Sequence, residues 1–221
     1  MYPFSLGFAW SAAAAFHQFR REMPAAQEYA ESAINLATEQ GFPIWIAAGA
    51  ILRGWALAQQ GQAKEGMAQM TQGLRAYHAT GAAIRRPHFL ALLAEAHGII
   101  GHQETGLTIL TEALTLVDTT GERWYEPELY RLKGALLLAR ATEHDTEAET
   151  CFRHALEIAR RQQAKSWELR ASLSLSRLWQ RQGKRHTAHQ LLAEVYGWFT
   201  EGFDTADIQE AKALLEDLET N

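Results

Sequence analysis

The chain has 221 residues, of which 47% are hydrophobic and 21% charged, and its formal net charge is −5. This composition excludes an intrinsically disordered protein, and the negative charge argues against a nucleic-acid-binding protein. Cys151 is the single cysteine, which excludes an internal disulfide and favours a cytoplasmic protein. No apolar run reaches the roughly 18 residues that a membrane-spanning helix needs.

The sequence predicts helices throughout, because its apolar residues recur with a period near 3.6 rather than 2. In chain order the predicted helix pairs are 4–21 with 24–40, 43–60 with 63–80, 86–100 with 103–119, 124–141 with 145–163, and 166–182 with 185–199. Gly41 and Gly81 follow predicted helix ends, where a left-handed residue terminates a helix at little cost. The turn at Glu143 lacks such a glycine, so we expect it to be irregular.

A last helix is predicted over 205–219. Asp204 is its predicted N-cap, and an apolar stripe faces the preceding pair through Ile208, Ala211, Leu215 and Leu218. Its polar residues, Glu210 and Asp217 among them, are expected to face away. This arrangement is typical of the helix that caps a repeat array.

Small residues recur about every 40 residues, at Ala14, Gly54, Ala94, Gly134 and Ser176, and again at Ala26, Gly66, Gly106, Ala148 and Ala188. Such a period indicates an α-solenoid, in which neighbouring units share one elongated core. The predicted domain is therefore a single one over 1–221. Its repeats are 4–41, 42–81, 82–121, 122–164 and 165–200, and the capping helix is 204–219.

These units resemble tetratricopeptide repeats (TPRs), whose small–small–bulky–small pattern occurs here as Gly54, Gly66, Met70 and Gly73. The resemblance implies an all-α fold in which five antiparallel helix pairs form a right-handed superhelix. Three stretches, 54–61, 121–134 and 196–207, are similar to the C-terminal repeats of bacterial signalling proteins that carry an adenylate/guanylate cyclase and an ATPase module. That likeness implies a regulatory, partner-binding role in bacteria, with the catalytic domains missing here.

No phosphate-binding loop, dinucleotide fingerprint, nucleophile elbow or zinc-protease motif occurs in the sequence. We therefore expect no catalytic residue, no cofactor and no metal. His186 and His189 share a helix face, but no further ligand stands at metal-binding spacing, so a solvated face is the better interpretation.

If the units stack as TPRs do, the first helix of each pair lines a concave groove. The side chains predicted to line it are Phe8, Trp55, His88, Glu95, Glu128, Arg131, Arg170, Arg177 and Arg181. One end is apolar and the other is rich in arginine, which suits a peptide with a hydrophobic anchor and an acidic tail. The alternative is a plain charged surface, with the arginines paired to Glu157, Glu168 or Glu194.

The favoured function is a scaffold that binds a protein or peptide, or another domain of a longer parent. Two other functions stay open. One is self-association through the N-terminal face. The other is a small-molecule sensor with a pocket between Trp55 and His88, or near Trp124 and Tyr125.

Overall fold

The computed structural model describes residues 2–140 and 144–220, and in these residues it contains eleven α-helices and no β-strand. The helices are α1 (Pro3–Phe19), α2 (Met23–Gln40), α3 (Pro43–Gln59), α4 (Ala63–Ala79), α5 (Arg86–Ile99), α6 (Gln103–Thr120), α7 (Glu126–Arg140), α8 (Asp145–Arg161), α9 (Lys165–Arg181), α10 (Arg185–Tyr196) and α11 (Ala206–Glu219). The predicted all-helical class, with five pairs and a last helix, is confirmed.

The helix boundaries agree with the predicted ones to within three residues. α7 begins at Glu126 rather than at 124, because Trp124 and Tyr125 form a turn in which the Glu126 amide donates to the Arg123 carbonyl. α10 ends at Tyr196 rather than at 199, since the chain turns at Gly197.

The chain divides into two compact units, Met1–Leu116 and Val117–Asn221. In the first unit α1 packs on α2, α2 on α3, α3 on α4 and α4 on α5. In the second unit α7 packs on α8, α8 on α9 and α9 on α10, and α11 lies against both α9 and α10. Sequential helices therefore form the layers in each unit.

The small residues lie where two helices of a pair approach most closely. A Cβ atom on Gly54 would lie 2.6 Å from the carbonyl oxygen of Gly66, so the backbones of α3 and α4 touch at this point. Ala14, Ala94 and Ser176, the corresponding residues of three other first helices, are fully buried. Close packing of the two helices in each pair thus explains why small side chains recur about every 40 residues.

The turns show the same periodicity. Gly41 has φ +71° and its amide donates to the Ala37 carbonyl, which ends α2 as predicted. Arg21, Arg85 and Gln163 have φ 60°, 69° and 56°, so three non-glycine residues among those described also take the left-handed conformation. The predicted irregular turn at Glu143 lies outside the described residues.

The cap of α11 differs from the prediction. Thr205, not Asp204, is the extended N-cap residue, and its hydroxyl donates to the Gly202 carbonyl rather than to the helix. The buried stripe includes Leu214 in place of Leu215. Glu210 and Asp217 do not face away, because each accepts a hydrogen bond from a side chain of α9.

No helix among the described residues is both long enough and apolar enough to cross a membrane.

Candidate functional site: a stripe of arginines in the second unit

Four residues of α9 lie along one side of the helix, because they are spaced four, three and four positions apart: Arg170, Ser174, Arg177 and Arg181. α7 places Arg131 beside this row, with its Nη1 3.5 Å from the hydroxyl of Ser174. We call Arg131, Arg170, Arg177 and Arg181 the arginine stripe. All four belong to the predicted groove set, and the structure brings them together within the second unit.

At the start of α9, Arg131 and Arg170 of the stripe are largely buried, and carboxylates pair with both of them. Nε and Nη2 of Arg131 each donate to a carboxylate oxygen of Glu128 at 2.7 Å. The same carboxylate accepts from Nη1 of Arg170 at 3.5 Å, and Nε of Arg170 donates to Asp207 of α11 at 2.7 Å. Glu128 of α7 and Asp207 of α11 therefore hold Arg170 between these two helices.

Arg170 keeps its charge in this buried place. Burial by itself lowers the pKa of Arg170, but the carboxylates of Glu128 and Asp207 outweigh it and raise the pKa above its ordinary value. The guanidinium also lies 5.0 Å from the ring centroid of Trp167, a cation–π contact. Arg170 is thus a structural cation that joins three helices.

The other end of the stripe is open to solvent. Arg177 is 52% exposed and its Nη2 donates to Glu210 of α11 at 2.7 Å. Arg181 is 51% exposed and its Nη2 donates to Asp145, at the start of α8, at 3.1 Å. Both side chains are thus half-exposed while each guanidinium is paired with one carboxylate.

The alternative interpretation paired the arginines with Glu157, Glu168 or Glu194, and two of these acids pair with Arg160. Glu168 is buried and accepts from Arg160 and Lys165, at 2.9 and 2.7 Å. Burial alone raises the pKa of Glu168, but these two hydrogen-bonded cations outweigh it and lower the pKa below its usual range. Glu194 lies 3.6 Å from Arg160 as well.

Four predicted groove residues belong to the first unit: Phe8, Trp55, His88 and Glu95. The side chains of Trp55 and His88 are buried in its interior. The indole Nε1 of Trp55 donates to Glu95 at 2.9 Å, which connects α3 to α5 across 40 residues of sequence. Trp55 is buried, whereas Glu95 is half-buried. Phe8 is half-exposed and packs against Trp45, with ring centroids 5.6 Å apart.

His88 is fully buried, with its Nε2 2.9 Å from Oε1 of Gln18. The amide oxygen only accepts, so this geometry has the imidazole donating from Nε2. Burial first, and the charge of Arg85 second, hold the pKa of His88 well below its ordinary value, which keeps the ring neutral. Gln18 and Phe19 of α1 thus both contact His88, the latter with ring centroids 5.2 Å apart.

The solvent side of α1 belongs to the N-terminal face that the sequence analysis named for self-association. The helix has no Asp, Glu, Lys or Arg over its 17 residues, although Phe4, Phe8 and Phe16 are about half exposed. In the described residues, no three His, Cys, Asp or Glu side chains gather as a metal site requires.

No protein-family model and no curated protein matches the chain. Solved structures do match it. A Rap protein complexed with competence and sporulation factor is 18% identical, with a TM-score of 0.75 over 99% of this chain and 58% of its own. A STAND ATPase with a tetratricopeptide repeat sensor, from Pyrococcus horikoshii, is 12% identical, with a TM-score of 0.65 over 99% of this chain and 34% of its own.

TPR-like repeats of a putative kinesin light chain from Podosopora anserina are 18% identical, with a TM-score of 0.59, over 89% of this chain and 95% of theirs. These likenesses show that the chain has the fold of TPR-like repeat proteins. The chain spans just over half the length of the Rap protein and about a third of the STAND protein.

Proposed function

We propose that the chain is a non-catalytic TPR-like scaffold that binds an acidic peptide or protein segment on the arginine stripe of its second unit. Arg177 and Arg181 are the contact residues, and Arg131 lies beside them. The single observation that supports this most is that two arginine side chains on one side of α9 are half-exposed. Arginine is enriched in binding hot spots, and its planar fork receives a carboxylate in two hydrogen bonds.

The acidic side chains that now pair with these arginines do not prevent such binding. Exposed ion pairs contribute only about 0–1 kcal/mol, since water screens both charges. An incoming carboxylate can therefore take the place of Glu210 at Arg177 and of Asp145 at Arg181 for a small loss. Arg170 is different, because its buried pairs with Glu128 and Asp207 are structural, so we assign it a positioning role.

The solved structures support the class of partner. The Rap protein was crystallised with competence and sporulation factor, and the repeats of the STAND protein are described as a sensor. Together with the likeness of three stretches to bacterial cyclase–ATPase proteins, they favour a regulatory part of a cytoplasmic bacterial signalling protein. The partner would then be a peptide or another domain of the same parent.

The test is a peptide library displayed on phage and panned on the immobilised full chain. We expect enrichment of peptides with two or more Asp or Glu residues, and loss of their binding in the double variant Arg177→Ala/Arg181→Ala. The matched control is Arg153→Ala/Lys212→Ala, which removes two exposed, ion-paired cations from α8 and α11. Enrichment without acidic residues, or equal loss in both variants, would overturn the proposal.

A further inference from the structure

Charge is distributed unevenly along the chain. Residues 201–221, which include α11, carry seven Asp or Glu side chains and one lysine, whereas residues 1–200 carry 19 acidic and 20 basic side chains. Residues 153–185, which include α9, carry nine Lys or Arg and two Glu side chains. The second unit therefore contains a strongly basic segment and, later in the sequence, a strongly acidic one.

The acidic segment meets the basic one in a row of polar contacts. α9 and α11 run parallel, because these contacts follow the same order along both helices. They are Arg170 with Asp207 at 2.7 Å, Arg177 with Glu210 at 2.7 Å, and Gln180 with Asp217. α11 thus presents carboxylates to α9, two of them to residues of the arginine stripe.

The two contacts with the stripe differ in burial. The side chains of Arg170 and Asp207 are 9% and 15% exposed, whereas those of Arg177 and Glu210 are 52% and 32% exposed. The first contact, together with buried apolar residues such as Ile208, anchors α11. Glu210 comes one helical turn after Asp207 on the same side of α11, so the anchored helix holds it at Arg177.

We propose that α11 is a built-in competitor of the acidic partner, in which Glu210 lowers the affinity of Arg177 for the partner's carboxylates. This role rests on the proposed function, because it concerns the same site. A partner's carboxylate meets Glu210 at one guanidinium, where the two negative charges repel each other. Glu210 is already fixed in place on the chain, whereas a free peptide loses translational freedom on binding. The chain therefore limits the affinity of its own site.

The exposure of the pair separates this role from a structural one. An exposed ion pair contributes little to folding, because water screens both charges. Glu210→Gln should therefore unfold at nearly the same urea concentration as the natural chain and keep its helix content by circular dichroism. Its effect should fall on the binding of an acidic peptide.

The experiment measures the binding of a fluorescently labelled hexaglutamate peptide to the full chain by fluorescence anisotropy. At about 100 mM salt, exposed charges more than about 10 Å apart are largely screened, so the contact at Arg177 outweighs the change in net charge. We expect Glu210→Gln to bind hexaglutamate about two- to fivefold more tightly than the natural chain, the factor that corresponds to one exposed ion pair.

A second variant keeps the net charge of the chain. Glu210→Asp shortens the side chain by one methylene and draws its carboxylate back from Arg177, so we expect tighter binding of hexaglutamate than in the natural chain. The matched control is Glu216→Gln, which removes one charge from α11 at an exposed residue whose partner is Lys212. It should bind like the natural chain. In an Arg177→Ala background, Glu210→Gln should have no effect, since the contact is already lost.

The outcomes distinguish this role of α11 from the proposed function. Binding of hexaglutamate that requires Arg177 and Arg181 but is unchanged in Glu210→Gln would overturn the competitor and leave the proposed function in place. Equal tightening in Glu210→Gln and Glu216→Gln would also overturn the competitor, because net charge alone would explain it. Hexaglutamate that does not bind, or that binds Arg177→Ala/Arg181→Ala as well as the natural chain, would overturn both.

Discussion

Nε of Arg170 lies 2.7 Å from Oδ2 of Asp207, and this contact joins α9 to α11 in the interior of the second unit. Both side chains are largely buried, and Glu128 supplies a second carboxylate to the same guanidinium. The last helix is thus held by a charged pair in addition to its apolar stripe. Removing one partner from such a pair leaves an uncompensated buried charge.

Arg170→Met should therefore lower the free energy of unfolding by about 3 kcal/mol, the usual loss when one member of a buried ion pair is removed. Arg177→Met removes a similar guanidinium from a half-exposed pair, so it should lose less than about 1 kcal/mol. Urea unfolding followed by circular dichroism measures both. Equal losses would show that the Arg170 cluster has no special structural role.

A second prediction concerns the closest backbone approach in the first unit. Gly54→Ala adds a Cβ atom 2.6 Å from the Gly66 carbonyl oxygen, which cannot move without shifting α4. Alanine improves helix propensity by about 1 kcal/mol, but overpacking costs about 1–3 kcal/mol, so we expect net destabilisation. Gln72→Ala, exposed on α4, is the control and should be near neutral. A stabilised Gly54→Ala variant would contradict the packing described here.

A third prediction follows from the buried imidazole of His88. Its folded-state pKa lies well below the unfolded value of about 6.5, so the unfolded chain binds the extra proton as the pH falls. The contribution of neutral His88 to the free energy of unfolding is fully present above about pH 6.5. It declines below that pH, by at most about 1.4 kcal/mol per pH unit.

The measurement compares urea unfolding of the natural chain and of His88→Gln between about pH 7.5 and pH 5, on either side of that unfolded pKa. Glutamine still offers an amide donor to Gln18 but cannot titrate, so the stability of the variant should decline less steeply. The stability of His88→Gln should still decline somewhat at low pH, since burial also lowers the pKa of His97. Identical slopes for His88→Gln and the natural chain would refute this role of His88.

The sequence predicted the helices well because their signals are local. Proline at a first turn, glycine after a last turn and a 3.6-residue period each depend on a few neighbouring residues. The misplaced cap at Asp204 shows the limit of that reasoning, since Thr205 and Asp204 are both good caps and only the path of the preceding turn decides between them.

The candidate site was harder to predict, because its partners are distant in sequence. The pattern placed Arg170 and Arg177 on one side of α9, but their carboxylates come from α7 and α11, between 33 and 42 residues away. Trp55 and His88 lie in the interior of the first unit, and the contact of His88 with Gln18 of α1, 70 residues away, is one that no periodicity identifies. Their part in binding a partner stays a prediction, as does that of Phe8 and Glu95.

The most direct test of binding on the arginine stripe is a proton–nitrogen NMR titration of the arginine Nε–H signals with an acidic peptide selected by panning. The signals of Arg177 and Arg181 should shift in proportion to the peptide bound, because each guanidinium exchanges its own carboxylate for one of the peptide, while Arg153 on α8 stays unchanged. Saturable binding that leaves Arg177 and Arg181 unshifted would contradict the proposed function.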